Sequence, residues 1–233
     1  SNKTSIFQFP HLLLGALAIF FYVGVEVISY DTFAGFGEHL GFKLDLPNIK
    51  IFLLNSSYYL SLPNPHAAKN FATYTGYSLL AGYVFNIVFI PKYISQSGAL
   101  QASAILGIIC SIGAGIASVT DTSLFSMIFG WLNGFPGFNF EIIPNSVFFV
   151  TLLGLANALM WPAIWPLVLK DLGSYTKIAS ALLIMSIAGG AIIPPIYASL
   201  GQKIGFQPAL LIMVPMYIFI LYYAVKGHKV RKA

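Results

Sequence analysis

The sequence predicts an all-α membrane protein with six transmembrane helices, on three observations. Of its 233 residues, 58% are hydrophobic and only 8% are charged, whereas ordinary soluble domains carry roughly 25% charge and about 45–50% apolar residues. The mean hydropathy is +0.81. The apolar residues also fall in continuous stretches of about 17–25 residues, the length an α-helix needs to cross a hydrocarbon core of roughly 30 Å. Barrel strands would be about 9–11 residues of alternating polarity. Finally, 20 Phe and 13 Tyr are more than one aqueous core of this size can hide, so lipid must serve as solvent. A soluble enzyme is excluded.

The first stretch, residues 9–30, carries Glu26, the one acid of seven that lies inside an apolar run. A carboxylate at membrane depth is costly unless paired, hydrated or protonated, which makes Glu26 a functional candidate. Tyr22, Glu26 and Tyr30 recur at i, i+4 and i+8 and so share one helix face. The plainer alternative is that Glu26 reaches water at the external end and only supports a helix contact.

The second stretch, 72–94, offers Tyr77 and Asn86 as polar side chains whose direction the sequence does not fix. The third, 100–120, contains the chain's single cysteine, Cys110, read as a small buried apolar side chain. One cysteine excludes a disulfide framework and a cysteine-based zinc site.

The fourth stretch, 146–169, reads GLANALMWPAIWPLVL, with Asn157, Trp161 and Trp165 on an i, i+4, i+8 row. Pro162 and Pro166 break the backbone ladder beside them, as happens where solutes bind in membrane helices. An amide hydrogen-bonds hydroxyls, and an indole face packs against the C–H face of a sugar ring, so the pair suits a neutral polyol. The competing reading is packing by the two indoles and an interhelical bond by Asn157.

In the fifth stretch, 178–200, Gly189, Gly190, Pro194 and Pro195 permit close helix approach followed by a kink. They are expected to act in gating or hinge motion rather than recognition. The sixth covers 209–225 and ends in a basic tail over 226–232. The net charge of +5 therefore points to anionic lipid headgroups and not to nucleic acid.

Six crossings put both termini on one side. Lys3, Lys92, Lys170, Lys177, Lys226, Lys229, Arg231 and Lys232 lie there, against Lys43, Lys50, Lys69 and Lys203 opposite; this bias places both ends in the cytoplasm. Long external connections follow spans one and three. They divide the chain into three-helix units, about 1–120 and 145–233, as in the inverted repeats of secondary transporters. Apolar segments at 51–62 and 124–140, the latter with Trp131, are too short or broken to span and are expected at the interface. The start, SNKTSIFQFP, reads as an inter-helix loop cut open. That suggests a C-terminal half whose N-terminal half is missing.

His11, His39, His66 and His228 show no metal-ligand spacing, and there is no Walker A glycine loop. No metal, cofactor or catalytic residue is predicted.

The blocks GALAIFFYVGVEV, GLANALMWPAIWPLVLKDLG and TKIASALLIMSIAGGAIIPPIY resemble the C-terminal half of sugar permeases in the fucose and glucose/galactose–proton symporter group of the major facilitator superfamily. The resemblance covers most of the chain, least so the external loops. It implies spans seven to twelve of a twelve-helix transporter of the bacterial inner membrane. On that basis a neutral hexose or deoxyhexose and protons are its partners, together with membrane lipids and the N-terminal six-helix half. It assigns substrate contact to Asn157 and Trp161, more weakly to Tyr22 and Trp165, and an accessory coupling role to Glu26. Ala81-Gly82-Tyr83-Val84 departs from the pattern by lacking an arginine after the glycine. That puts in doubt a charged latch at the cytoplasmic gate. Two rival readings are a facilitator or carrier of another solute, and a six-span subunit that transports nothing.

Overall fold

The computed structural model of the protein describes residues 8–39, 67–90, 92–135 and 143–230, with side chains over 8–30, 74–90, 92–131, 134–135 and 143–230. Among these residues the secondary structure is helical throughout. The first segment, α1, runs Pro10–His39, opening on a proline whose missing amide proton costs nothing in the first turn. It continues nine residues past the expected end at Tyr30. Next come α2 (Ala67–Phe89) and α3 (Gln96–Ile116). Ser95 caps α3, its Oγ accepting from the Gly98 amide at 3.1 Å.

The stretch after α3 holds a short helix, α4 (Ser123–Phe129), and a 3₁₀ turn at Gly130–Gly134. Trp131 is exposed there, and its indole N–H donates to the Ile128 carbonyl. The described part of this segment does not form a span, as its composition predicts. The other external apolar segment, 51–62, lies outside the described residues.

The fourth apolar stretch is two helices, α5 (Asn145–Ala158) and α6 (Met160–Leu169), parted at Leu159. Pro162 cannot donate to the carbonyl four residues back, and its ring crowds the preceding turn, so the ladder breaks three residues ahead of it. The fifth is α7 (Thr176–Met185), a 3₁₀ turn at Ser186–Ala188 and α8 (Gly189–Ile204). Gly205, at φ 95°, turns the chain out of α8. The last contains α9 (Phe206–Ala209) and α10 (Met213–Val225).

Five helical runs among the described residues are long and apolar enough to cross a membrane: Pro10–Tyr30, Gln96–Ile116, Asn145–Leu169, Gly173–Ile204 and Phe206–Lys229. The helix α2 is the sixth long apolar segment, with side chains described from Tyr74 onward.

The core lies where α1, α3, α5–α6 and α10 meet, around fully buried Leu12, Ile19, Leu100, Leu153, Ile164 and Tyr217. In lipid the packing itself, rather than escape from water, holds helices together, so small residues mark the crossings. A Cβ on Gly154 would stand 2.6 Å from the Thr75 carbonyl oxygen, and one on Gly82 2.5 Å from the Ala158 methyl. These contacts close the α2–α5 seam. Between α1 and α8, Gly189 sits against the Phe20 backbone while Gly24 accommodates Ile193. By contrast, α2 and the α7–α8 run present many exposed apolar side chains, among them Leu80, Val84, Ile87, Ile184 and Ile192.

Polar side chains seal the ends. Gln207 donates from Nε2 to the Ala117 carbonyl at 2.6 Å and to Ala114 at 3.3 Å, capping the end of α3 from the start of α9. On the same side of the bundle, Asn145 donates to Asp121 at 2.9 Å and accepts from the Leu124 amide at 3.0 Å. Asp121 also takes the Ser123 amide and hydroxyl at 3.0 and 2.9 Å. Led by the Ser123 backbone bond, these donors hold the Asp121 carboxyl below the usual carboxylate range. At the opposite end the His11 ring approaches the Lys170 carbonyl at 3.3 Å and His228 the Tyr223 carbonyl at 3.1 Å.

Candidate functional site

The faces of α1 divide its labour. Positions 20, 23, 24 and 27 meet α8, while Tyr22 turns toward α6 and Ser29 toward α5. The i, i+4 spacing of Tyr22 and Glu26 puts the phenol over the carboxylate, and Tyr22 Oη donates to Glu26 Oε1 at 2.8 Å. Among the described residues no cation pairs with Glu26. Glu26 is half-buried.

A hydrogen-bonded chain ties the backbone of this residue to the core. Ser29 Oγ donates to the Glu26 carbonyl at 2.7 Å and accepts from Asn157 Nδ2 at 3.1 Å. Tyr217 Oη donates to Asn157 Oδ1 at 2.8 Å. Ser29, Asn157 and Tyr217 are each fully buried, so α1, α5 and α10 are pinned together by one satisfied polar network. In apolar surroundings such a network is specific, because slipping any member by one residue would strand the others.

The aromatic side of the site belongs to α6. The Trp161 ring lies 6.1 Å from that of Tyr22 at 48°, and 5.3 Å from Trp165 at 31°. Both indoles are half-buried, whereas Tyr22 is 2% exposed. The break at Leu159 separates the inward Asn157 from the more exposed Trp161.

The residues singled out from the sequence thus divide into two groups. Tyr22, Glu26, Asn157, Trp161 and Trp165 converge on one side of α1. Gly189 and Gly190 lie on its other side, Gly189 buried against Phe20 and Gly190 facing Val23 and Val27. Pro194 and Pro195 stand further along α8, half-buried and exposed respectively. Tyr77 is exposed, and Asn86 is nearly buried. Sequence reading missed Ser29 and Tyr217. Ser29 carried a weak signal, three residues after Glu26 on the same helix, whereas Tyr217 is one tyrosine of several in a uniformly apolar run. Among the described residues no group of three or more His, Cys, Asp or Glu could hold a metal ion.

No protein-family model matches the chain. It is 28% identical over 228 residues to a glucose/galactose transporter of Brucella abortus biovar 1, covering 98% of this chain and 45% of that one. A putative glucose/galactose transporter of Helicobacter pylori is 27% identical over 238 residues, covering 98% and 46%. The chain therefore spans less than half the length of these relatives. In three dimensions it is similar to the crystal structure of FucP, a major facilitator superfamily transporter in the outward conformation. That match has a TM-score of 0.67 and 19% identity, covering 92% of this chain and 41% of that one. FucP is also described as the fucose:proton symporter of E. coli. The chain has the fold of part of a major facilitator superfamily transporter, and its relatives in sequence are sugar transporters, not enzymes.

Proposed function

We propose that this chain is the C-terminal six-helix half of a secondary active transporter that carries a neutral hexose or deoxyhexose with protons across a bacterial inner membrane. The observation that carries the reading is that one tyrosine, Tyr22, touches both the spans' one acid and an indole pair. Tyr22 links the two, its hydroxyl donating to Glu26 and its ring neighbouring Trp161, which in turn lies against Trp165, in a bundle otherwise free of buried carboxylates among its described residues. An acid without a cationic partner can exchange a proton, and an indole wall suits the C–H face of a sugar.

On this reading α2 is the sixth span, the two three-helix units form an inverted repeat, and both termini are cytoplasmic. Trp161 stacks on the sugar, with Trp165 and Tyr22 flanking it. Asn157 already donates one amide hydrogen to Ser29 and accepts from Tyr217. It would bond a sugar hydroxyl with its second amide hydrogen. Glu26 supplies a protonatable group whose state favours one conformation over the other; without such differential binding no uphill transport follows. The α1–α8 seam at Gly189 and Gly190, with Pro194 and Pro195 beyond it, serves the motion between the two access states. The N-terminal half completes the site.

The test is uptake of labelled glucose, galactose and fucose by proteoliposomes holding the full-length protein, with and without an inward proton gradient. Accumulation driven by the gradient is expected for at least one, and Glu26→Gln should weaken both its sugar binding and its pH dependence. Equilibration without accumulation would point to a facilitator. Absence of uptake for all three would leave a carrier of another solute or a non-transporting subunit.

A further inference from the structure

Three asparagines are buried among the described residues: Asn86, Asn145 and Asn157. Two are satisfied on both sides of the amide, Asn145 by Asp121 and the Leu124 amide, and Asn157 by Ser29 and Tyr217. Asn86 is different. It is 9% exposed and has no side-chain hydrogen-bond partner among the described residues, which leaves its amide open to a partner from outside. It faces a cavity of about 340 Å³ between α2, the start of α3 and α6, lined by Tyr83, Asn86, Ile87, Ile90, Gln96 and Pro162. That volume falls within the roughly 300–1,000 Å³ of small-molecule pockets.

The lining restricts what can bind. It holds no charged side chain, so an ion would find no counter-charge. Asn86 and Gln96 each offer two donors and an acceptor, and Tyr83 a hydroxyl, around apolar walls; that combination fits several hydroxyls on a carbon ring. The cavity and the candidate site share α6, since Pro162 in the cavity lining follows Trp161 directly in the chain. It is displaced toward one end of the bundle. Asn86 is one turn from the end of α2, and Gln96 opens α3. The Lys170 carbonyl closing α6 meets His11 at the start of α1, which marks that end as the one where the chain enters.

We infer that Asn86, Tyr83 and Gln96 form a second hydrogen-bonding station for a neutral polyol, one step along its path from the Glu26–Trp161 site toward the end of the bundle where α1 begins. Asn86 is the central contact, bonding a ring hydroxyl with the amide that nothing in the bundle satisfies. The station rests on the transport reading above, and the experiment separates the two.

Full-length protein in proteoliposomes is assayed for uptake of labelled glucose, galactose and fucose as wild type, Asn86→Ala and Tyr83→Phe. Monodeoxy analogues of the transported sugar are run as competitors. The expected result is a KM raised about tenfold by Asn86→Ala and a few-fold by Tyr83→Phe, the size of one lost neutral hydrogen bond, with kcat nearly unchanged. For the analogue lacking the bonded hydroxyl, wild type and Asn86→Ala should compete equally, which a merely structural asparagine would not produce. Tyr83→Phe keeps the ring of an exposed residue, so it reads the station even if Asn86→Ala assembles poorly. An unchanged KM in both variants would overturn the station, leaving a cavity that holds water only, while sugar transport stands. Wild-type protein that carries none of the sugars would overturn the transport reading, and the polyol with it.

Discussion

Gly189 is the position where one added methyl group should do most damage. Its Cβ would stand 2.7 Å from the carbonyl carbon and 3.0 Å from the Cα of Phe20, with the carbonyl oxygen nearer still. All three are backbone atoms of α1, so no rotamer can relieve them. Restoring an ordinary 3.4 Å contact to the carbon alone needs 3.4 − 2.7 = 0.7 Å of helix separation, and the oxygen demands more. A gap of about 0.5–1 Å already forfeits a quarter to a half of each van der Waals contact along a seam. The losses would fall at Gly24 against Ile193 and at Gly190 against Val23 and Val27. In lipid no hydrophobic term compensates. Gly189→Ala should therefore cost about 3 kcal/mol, the upper end of the roughly 1–3 kcal/mol typical of overpacking. The matched control is Gly76→Ala in α2, where nothing among the described residues lies within 4 Å of the added carbon and helix propensity favours alanine by about 1 kcal/mol. Thermal unfolding of the purified full-length protein in detergent, followed by tryptophan fluorescence, reads both. Gly189→Ala should melt a few °C below wild type, since the shift per kcal/mol falls with chain length, and Gly76→Ala at or above it. Equal melting of the two would refute the claim that the α1–α8 seam is set by backbone contact at Gly189.

Replacing Asn157 by Leu strands the Tyr217 hydroxyl and removes the donor to Ser29 in a fully buried setting. A loss of about 2–4 kcal/mol is expected in the same melting assay, whereas Tyr217→Phe, which leaves only Asn157 Oδ1 unpaired, should cost less than half of that. Gln207→Leu withdraws the cap on the Ala114 and Ala117 carbonyls; about 1–2 kcal/mol should be lost, with faster amide exchange confined to the last turn of α3 and the residues after it. The Asp121 carboxyl is held below its unfolded value by Ser123 and Asn145. Its contribution is therefore present above the ordinary carboxylate pKa and is lost as pH falls through the lowered folded value. Exchange of the Ser123 and Leu124 amides should accelerate relative to neighbouring helices at the acid end of that window, and Asp121→Asn should remove the pH dependence.

The apolar run lengths alone determined that this chain is helical and membrane-embedded, because a bilayer leaves the backbone few ways to satisfy its hydrogen bonds. The i, i+4 rows also made Tyr22–Glu26 and the Trp161–Trp165 pair legible, since neighbours on one helix face are fixed by the helical period. Pro162 announced a break in the fourth run, though not that it would fall at Leu159. Contacts between helices were decided only by the tertiary structure. Nothing in MVPMYIF tells that Tyr217 alone among nearby tyrosines reaches Asn157, nor that Ser29 stands between Asn157 and Glu26. Likewise the glycine pair at 189 and 190 signals close approach without naming Phe20 as the surface approached. In a chain whose helices are apolar on nearly every face, periodicity no longer tells which face is inward. Side-chain shape and a few buried hydrogen bonds make that choice, and they exist only once the helices have been brought together.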